Sequence, residues 1–236
     1  MSAGFINSKV QPTLGYGYVA VNQTNEIFKD PKVRQALLHA IDRKSLNQAV
    51  YGQYAITLNV PQAPISWLYD DEGLNEYEYD LDKAAELLKE AGWEKEGDKL
   101  MKDGKQMKIV FSAMSGNEVT DNMIPLMIDA YGELGIDFQA EYVDWPTLQS
   151  KSSSKKYDML FMAWGLTADP DLTQTFASPD KGGAQNKTGY SNPELDKMLA
   201  DALTSTSKEE QKEKYKEIYK VINEELPLFQ FTSVVT

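Results

Sequence analysis

The stretch Tyr157–Ala177, YDMLFMAWGLTADPDLTQTFA, restricts the fold of this chain more than any other. Its first half, Tyr157 to Trp164, is an apolar, aromatic run between the lysines of KSSSKK and Gly165. A strand with one solvated face would alternate, so this run reads as a strand buried on both faces, inside a sheet. Its second half changes character. Gly165 permits a tight backbone path, and Asp169, Pro170 and Asp171 place two carboxylates and a turn just past the strand's carboxyl end. Ligands of α/β sheets sit outside the carboxyl ends of strands. The Trp164–Gly165 pair therefore offers an aromatic wall, accessible backbone and nearby negative charge. On pattern alone, the plainer reading of a core strand running into a solvated turn is preferred.

The remaining segments supply the partners of that strand. Tyr16–Asn22 alternates as a strand. Asp30-Pro31 is a cap-and-first-turn signal for a helix with Val33, Ala36, Leu37, Ala40 and Ile41 on one face. A break near Asp42 leaves open whether Leu46, Ala49 and Val50 continue that helix or start another, which Gly52 ends. Residues 53–79 read as irregular. Asp80 caps a helix ending at Gly92, and Trp93–Met107 reads as a ribbon or loop around Asp103-Gly104. Met107–Ala113 is a strand, Met114–Asn117 a turn, and Glu118–Leu134 a helix with Pro125 in its first turns. Ile136–Val143 is a strand, Pro146 opens a short helix, and KSSSKK is a polar connector. Pro170–Ala177 reads as a short helix and 178–190 as a loop. Helices follow from Asn192-Pro193 and from Ser207, which has capping-box spacing to Glu210. Leu226–Val235 closes the chain as a strand. Irregular alternation of strands and helices implies one α/β domain over residues 1–236, a mixed β-sheet flanked by helices.

Composition removes several functions. The net charge of −12 argues against nucleic acid and anionic membranes, which demand Lys/Arg patches. There is no cysteine, hence no disulfide, thiol nucleophile or thiolate metal site. His39 is the single histidine and falls in a helical stretch, so a structural or surface role is expected and a His-based triad or His-rich metal centre has very little material. No cofactor is expected. No apolar run has the ~18 residues of a membrane span, and Met1–Val10 lacks the basic and apolar regions of a signal peptide. The chain is expected to be cytoplasmic or an excised fragment.

Several blocks together resemble one family. VRQALLHAIDRKSLNQAV (Val33–Val50), YDLDKAAELLKEAGW (Tyr79–Trp93), IVFSAMSGNE, GELGIDFQAEYVDWPTL, YDMLFMAWG, YSNPELDKMLADAL and EKYKEIYKVINEELPLF resemble, in order, the substrate-binding proteins of peptide and nickel ABC importers. The resemblance runs from about Tyr16 to Phe231. It implies the C-terminal lobe of an extracytoplasmic two-lobed, periplasmic-binding-protein-like clamp, either periplasmic or a cell-surface lipoprotein. Its implied partners are an oligopeptide, an N-terminal lobe of the same protein and an ABC permease, with no enzymatic activity. An oligosaccharide-binding member and a peptide-sensing receptor are the readings nearest to it.

The resemblance also implies a site. The segment matching Ala163, Trp164 and Gly165 hydrogen-bonds the ligand backbone as an added strand. Many peptide binders place an ammonium-pairing aspartate three residues after this Trp, where this chain has Thr167. Asp169 is the candidate replacement, against the alternative that Asp169 and Asp171 lie at a helix N-terminus. Asn117 is a further candidate, against a turn-forming role. Binders of short peptides can carry a basic residue before the strand ends, where this chain has Phe161 and Met162, so ligands longer than tripeptides are expected. Trp67 and Trp145 read as packing residues. A hydrolase using Asp169 and Asp171 is disfavoured, because an open site does not raise a carboxylate pKa. With one wall of the clamp absent, these residues alone should fold but bind ligand weakly or not at all.

Overall fold

The structure, a computed structural model, describes residues 13–166 and 171–234. Strand β1 (Gly15–Val21) leads into helices α1 (Pro31–His39) and α2 (Arg43–Tyr51), and then the short β2 (Ala55–Thr57). A long loop reaches α3 (Leu81–Glu90) and a ribbon of β3 (Glu94–Glu96), β4 (Lys99–Lys102) and β5 (Lys105–Gln106). Next come β6 (Lys108–Met114), α4 (Glu118–Glu133), β7 (Asp137–Val143), α5 (Trp145–Ser154) and β8 (Met159–Gly165). The chain ends through α6 (Thr173–Phe176), α7 (Pro193–Leu203), α8 (Lys208–Glu225) and β9 (Leu228–Val234). Most helix starts carry the expected cap. Asp30, Asp42, Asp80, Asn117, Asp144, Asn192 and Ser207 each accept a backbone N–H with the side chain.

Six strands form one mixed sheet in the order β2-β9-β1-β8-β6-β7. The β6–β7 and β6–β8 pairs are parallel; the β1–β8, β1–β9 and β2–β9 pairs are antiparallel. Alternation sorts the strand side chains into two cores. Val19, Val21, Ile109, Phe111, Met159, Phe229 and Phe231 pack under α1 to α4. Tyr16, Tyr18, Ala20, Leu160 and Leu228 pack under α5 to α8 and the loop carrying Leu58, Val60 and Leu68. The expected mixed α/β sheet between helical layers is therefore present.

Two buried arginines join the layers. Arg34 of α1 donates to the carbonyls of Phe28, Lys29, Glu225 and Leu226, and approaches the Glu225 carboxylate at 3.3 Å. It thereby satisfies orphan carbonyls at the end of α8. Arg43 of α2 donates to Leu58 O at 2.7 Å, Gln230 O at 2.9 Å, Asn59 Oδ1 at 2.9 Å and Glu76 O at 2.5 Å. Burial pulls the Arg43 guanidinium down to about 10, still charged at neutral pH.

Three sequence expectations are corrected and one left open is resolved. KSSSKK is no connector: Lys151–Ser154 complete α5, and Lys155 closes it in the left-handed conformation. Trp67 and Trp145 are not core residues, being 36% and 49% exposed. Trp67 instead lies 5.2 Å beneath the Lys208 ammonium, and Trp145 opens α5 at the end of the sheet. The strand at 159–165 is fully buried only at Met159 and Leu160; its carboxyl half emerges into solvent. The break near Asp42 separates two helices, with Asp42 capping the second through Ser45 N.

Candidate functional site

The carboxyl half of β8 owes its exposure to the phase of its hydrogen bonding. At one end of the β1–β8 ladder, Asn22 N–H donates to Asp158 C=O at 2.9 Å; at the other, Leu166 N–H donates to Leu14 C=O at 3.0 Å. The register between them is unbroken, from Val21↔Met159 to Gly15↔Gly165. Bonded and non-bonded pairs alternate in an antiparallel ladder. Leu160, Met162 and Trp164 therefore turn their backbone groups to β1. Phe161, Ala163 and Gly165 turn theirs the other way, toward β6.

β6 follows on that side only briefly. It pairs with β8 at Phe111↔Met159 and Ser112↔Leu160, but stays paired with β7 through Met114↔Val143. Beyond Leu160 the β8 edge has no strand partner among the described residues, and both Ala163 and Gly165 are exposed. The result is a notch between two parallel strands, open at their carboxyl ends. Glycines on the closed side let β1 come close. A Cβ on Gly15 would stand 2.9 Å from Trp164 O, and one on Gly17 would stand 2.8 Å from the Phe161 ring.

A side-chain clasp fixes the closed end of the notch. Asp158 accepts from Val110 N–H and from Asn25 Nδ2, both at 2.9 Å. Asn22 Nδ2 donates to the carbonyls of Lys155 and Tyr157 at 2.8 and 2.7 Å. The Asp158 carboxylate thus adds a side-chain tie between β6 and the start of β8, beside the backbone pairs. Farther along, Lys151 of α5 pairs with Glu141 of β7 at 2.7 Å, and Ser112 Oγ donates to Glu141 at 3.1 Å. The Lys151 ammonium holds the Glu141 carboxyl below its usual range.

The candidates from sequence divide. Ala163, Trp164 and Gly165 stand together at the notch, and Trp164 packs its half-buried indole against the core under α5 to α8. Asn117 begins α4, in the turn leaving β6, and its Oδ1 accepts from Val119 N at 3.0 Å and Thr120 N at 3.2 Å. Asp169 lies outside the described residues. Asp171 accepts from Thr173 N–H at 2.8 Å. His39 bonds the Glu78 carbonyl through Nδ1 at 2.8 Å, a structural contact. Among the described residues no cluster of three or more His, Cys, Asp or Glu side chains is placed to hold a metal. No helix among them is long and apolar enough to cross a membrane. Sequence reading missed the Asn22–Asp158 clasp and the two arginines, which are polar residues whose partners lie far away in the chain. Only the Gly15-x-Gly17 spacing marked the close approach of β1.

Comparison with known proteins places this arrangement. Residues 3–186 match the family described as bacterial extracellular solute-binding proteins, family 5 Middle. The oligopeptide-binding protein AppA of Bacillus subtilis is 33% identical over 219 residues, 91% of this chain and 40% of AppA. Its structure in complex with a nonapeptide superposes with a TM-score of 0.90 at 30% identity, covering 96% of this chain and 46% of that one. Heme-binding protein A of Haemophilus influenzae is 29% identical over 224 residues, 92% of this chain and 39% of the relative. NikZ of Campylobacter jejuni, solved with Ni(L-His), superposes with a TM-score of 0.85 at 26% identity, covering 98% and 48%. The chain thus spans about 40% of the length of these curated relatives.

Proposed function

We infer the role of this chain from its membership of family 5 of the bacterial extracellular solute-binding proteins, to which it belongs. It is the C-terminal lobe of a longer two-lobed clamp that captures oligopeptides outside the cytoplasm, as a periplasmic protein or a cell-surface lipoprotein. The clamp delivers them to the permease of an ABC importer. It binds its ligand without transforming it.

The open edge of β8 carries this reading. A protein that accepts many peptides uses what they share, the backbone, and an added strand satisfies that backbone without reading side chains. Ala163 and Gly165 present N–H and C=O groups, unpaired among the described residues, in the notch for such a strand. Trp164 has its own backbone turned to β1, so it contributes its indole as the wall beside the ligand. Asn117 commits Oδ1 to the helix cap and offers Nδ2, unpaired among the described residues. Asp169 is the acidic candidate for a ligand ammonium. Phe161 and Met162 supply no cation for a ligand carboxylate, in keeping with peptides longer than tripeptides. An oligosaccharide reading needs a free aromatic face, whereas Trp164 is partly packed into the core. A peptide-sensing receptor would use the same binding chemistry.

Mass spectrometry of ligands carried by the intact protein purified from cells tests this. Co-purifying peptides longer than tripeptides are expected. A bound saccharide, tetrapyrrole or metal chelate, with no peptide affinity in calorimetry, would overturn the reading.

A further inference from the structure

The two faces of the notch are lined differently. Continuing the register of the last β6–β8 pair, Ser112↔Leu160, sets Ala113 level with Phe161 and Met114 level with Met162. Between them lies a gap that no strand among the described residues fills. Strand side chains alternate between the faces of a sheet, so each face of the gap has its own lining.

Toward α5 the lining is a half-buried apolar shelf. Met114 ends β6 and Val143 pairs with it from β7. Met162 and Trp164 follow at alternate positions of β8, with Leu166 just beyond. All of them pack against the core under α5 to α8 while keeping part of their surface open. The Met162 sulfur is held from below, where it accepts from the buried Ser152 hydroxyl of α5 at 3.5 Å. Charged groups beside the shelf are already engaged. Glu141 and Lys151 pair at 2.7 Å, and Asp144 gives Oδ1 to Thr147 N–H at 2.9 Å.

Toward α1 to α4 the lining is small. Ala113 and Ala163 offer only methyl groups, and the Phe161 ring lies over Gly17 of β1, on the side away from the gap. A peptide strand laid in the gap turns every second side chain onto the shelf and the others onto this second face. Two thioethers and an indole suit apolar and above all aromatic groups, and unbranched methionines reshape around different ones.

Resting on the peptide reading above, we propose that the notch reads its ligand with a period of two. Large apolar side chains at alternate positions seat on Met114, Met162 and Trp164, while the positions between them face Ala113 and Ala163 and go unread. Backbone pairing is common to all peptides; the shelf adds a preference for those with apolar residues two apart, the pattern of an amphipathic strand.

Calorimetry on the intact protein tests the period, with seven-residue peptides of one composition that carry two phenylalanines among serines. Slippage of the peptide along the notch does not change the spacing of the two rings. Spaced two apart, both rings reach the shelf; spaced one or three apart, only one does. The first peptide should bind about tenfold more tightly than the other two, the gain from burying part of a second ring. The double variant Met114→Gln, Met162→Gln keeps the size of both side chains but makes the shelf polar, and should shrink that ratio below about threefold. An undiminished ratio in the variant would overturn the assignment to the shelf. Equal binding of the three peptides by the unaltered protein would overturn the period and leave the peptide reading standing. No binding of any peptide would overturn both.

Discussion

Two regions of this molecule use polar groups in opposite ways. In α1 and α2, every hydrogen bond of the Arg34 and Arg43 side chains closes inward on a carbonyl, an amide oxygen or the Glu225 carboxylate. At the end of β8, Ala163 and Gly165 leave their backbone groups outward, unpaired by any strand among the described residues. The first region supplies part of the family resemblance in sequence, and its arginines join the end of α8, the long loop and β9. The second also stands out in sequence as the strand ending in Trp164-Gly165, but which of its residues keep a free backbone carries no side-chain signature. A recognisable stretch of a binding protein can thus be its structural joint, while the ligand edge is defined by what the neighbouring strand fails to cover.

The contrast is broken most severely at the arginines. Arg34→Met or Arg43→Met strands several buried carbonyls, and each should lower stability by about 3–5 kcal/mol. Urea denaturation measures this. A loss below about 1 kcal/mol would show that the joint is dispensable. The clasp comes next. Asp158→Ala leaves Val110 N–H and Asn25 Nδ2 without their acceptor and should cost about 1–3 kcal/mol. It should also weaken peptide binding by the intact protein, because the notch loses its fixed closed end.

A gentler test needs no mutation. Amide exchange followed by NMR should alternate along β8, with Met162, Trp164 and Leu166 protected and Ala163 and Gly165 exchanging at least ~100-fold faster. Added peptide should slow Ala163 and Gly165 selectively. Uniform protection along the strand would refute the ladder phase on which the binding edge rests.

The smallest effect is at the start of α8. Thr206 N–H and Oγ1, together with the Lys214 ammonium, hold the Glu210 carboxyl down to about 2, against an ordinary value of 4.5. A depressed carboxylate contributes stability above its unfolded pKa and loses it as pH falls. Fraying of α8 should therefore grow between about pH 4.5 and 2, and Glu210→Gln should flatten that acid limb in circular dichroism. This exposed cap should leave the β8 edge unaffected.

Much of the fold was legible in the chain. Asp30-Pro31, Asp80 and Asn192-Pro193 announced their helices because caps are local: side-chain acceptor and backbone N–H donor lie within three residues. The capping-box spacing of Ser207 and Glu210 was legible too, but Glu210 reaches back to Thr206 rather than to Ser207. KSSSKK misled because its polar composition suits a connector, while Ser152 lies on the buried side of α5 and donates to the Met162 sulfur.

The sequence by itself determined the α/β class, the strand ending in Trp164-Gly165 and the family to which the chain belongs. The first two rest on local periodicity and short-range chemistry, the family on the resemblance of several blocks in order. Tertiary structure alone decided that β6 leaves β8 after Leu160, that Ala163 and Gly165 rather than Trp164 hold the free backbone, and that Arg34 and Arg43 are joints. Those outcomes depend on register and on partners up to 192 residues away, and hydrophobic pattern carries no information about which side of a strand its neighbour will leave uncovered.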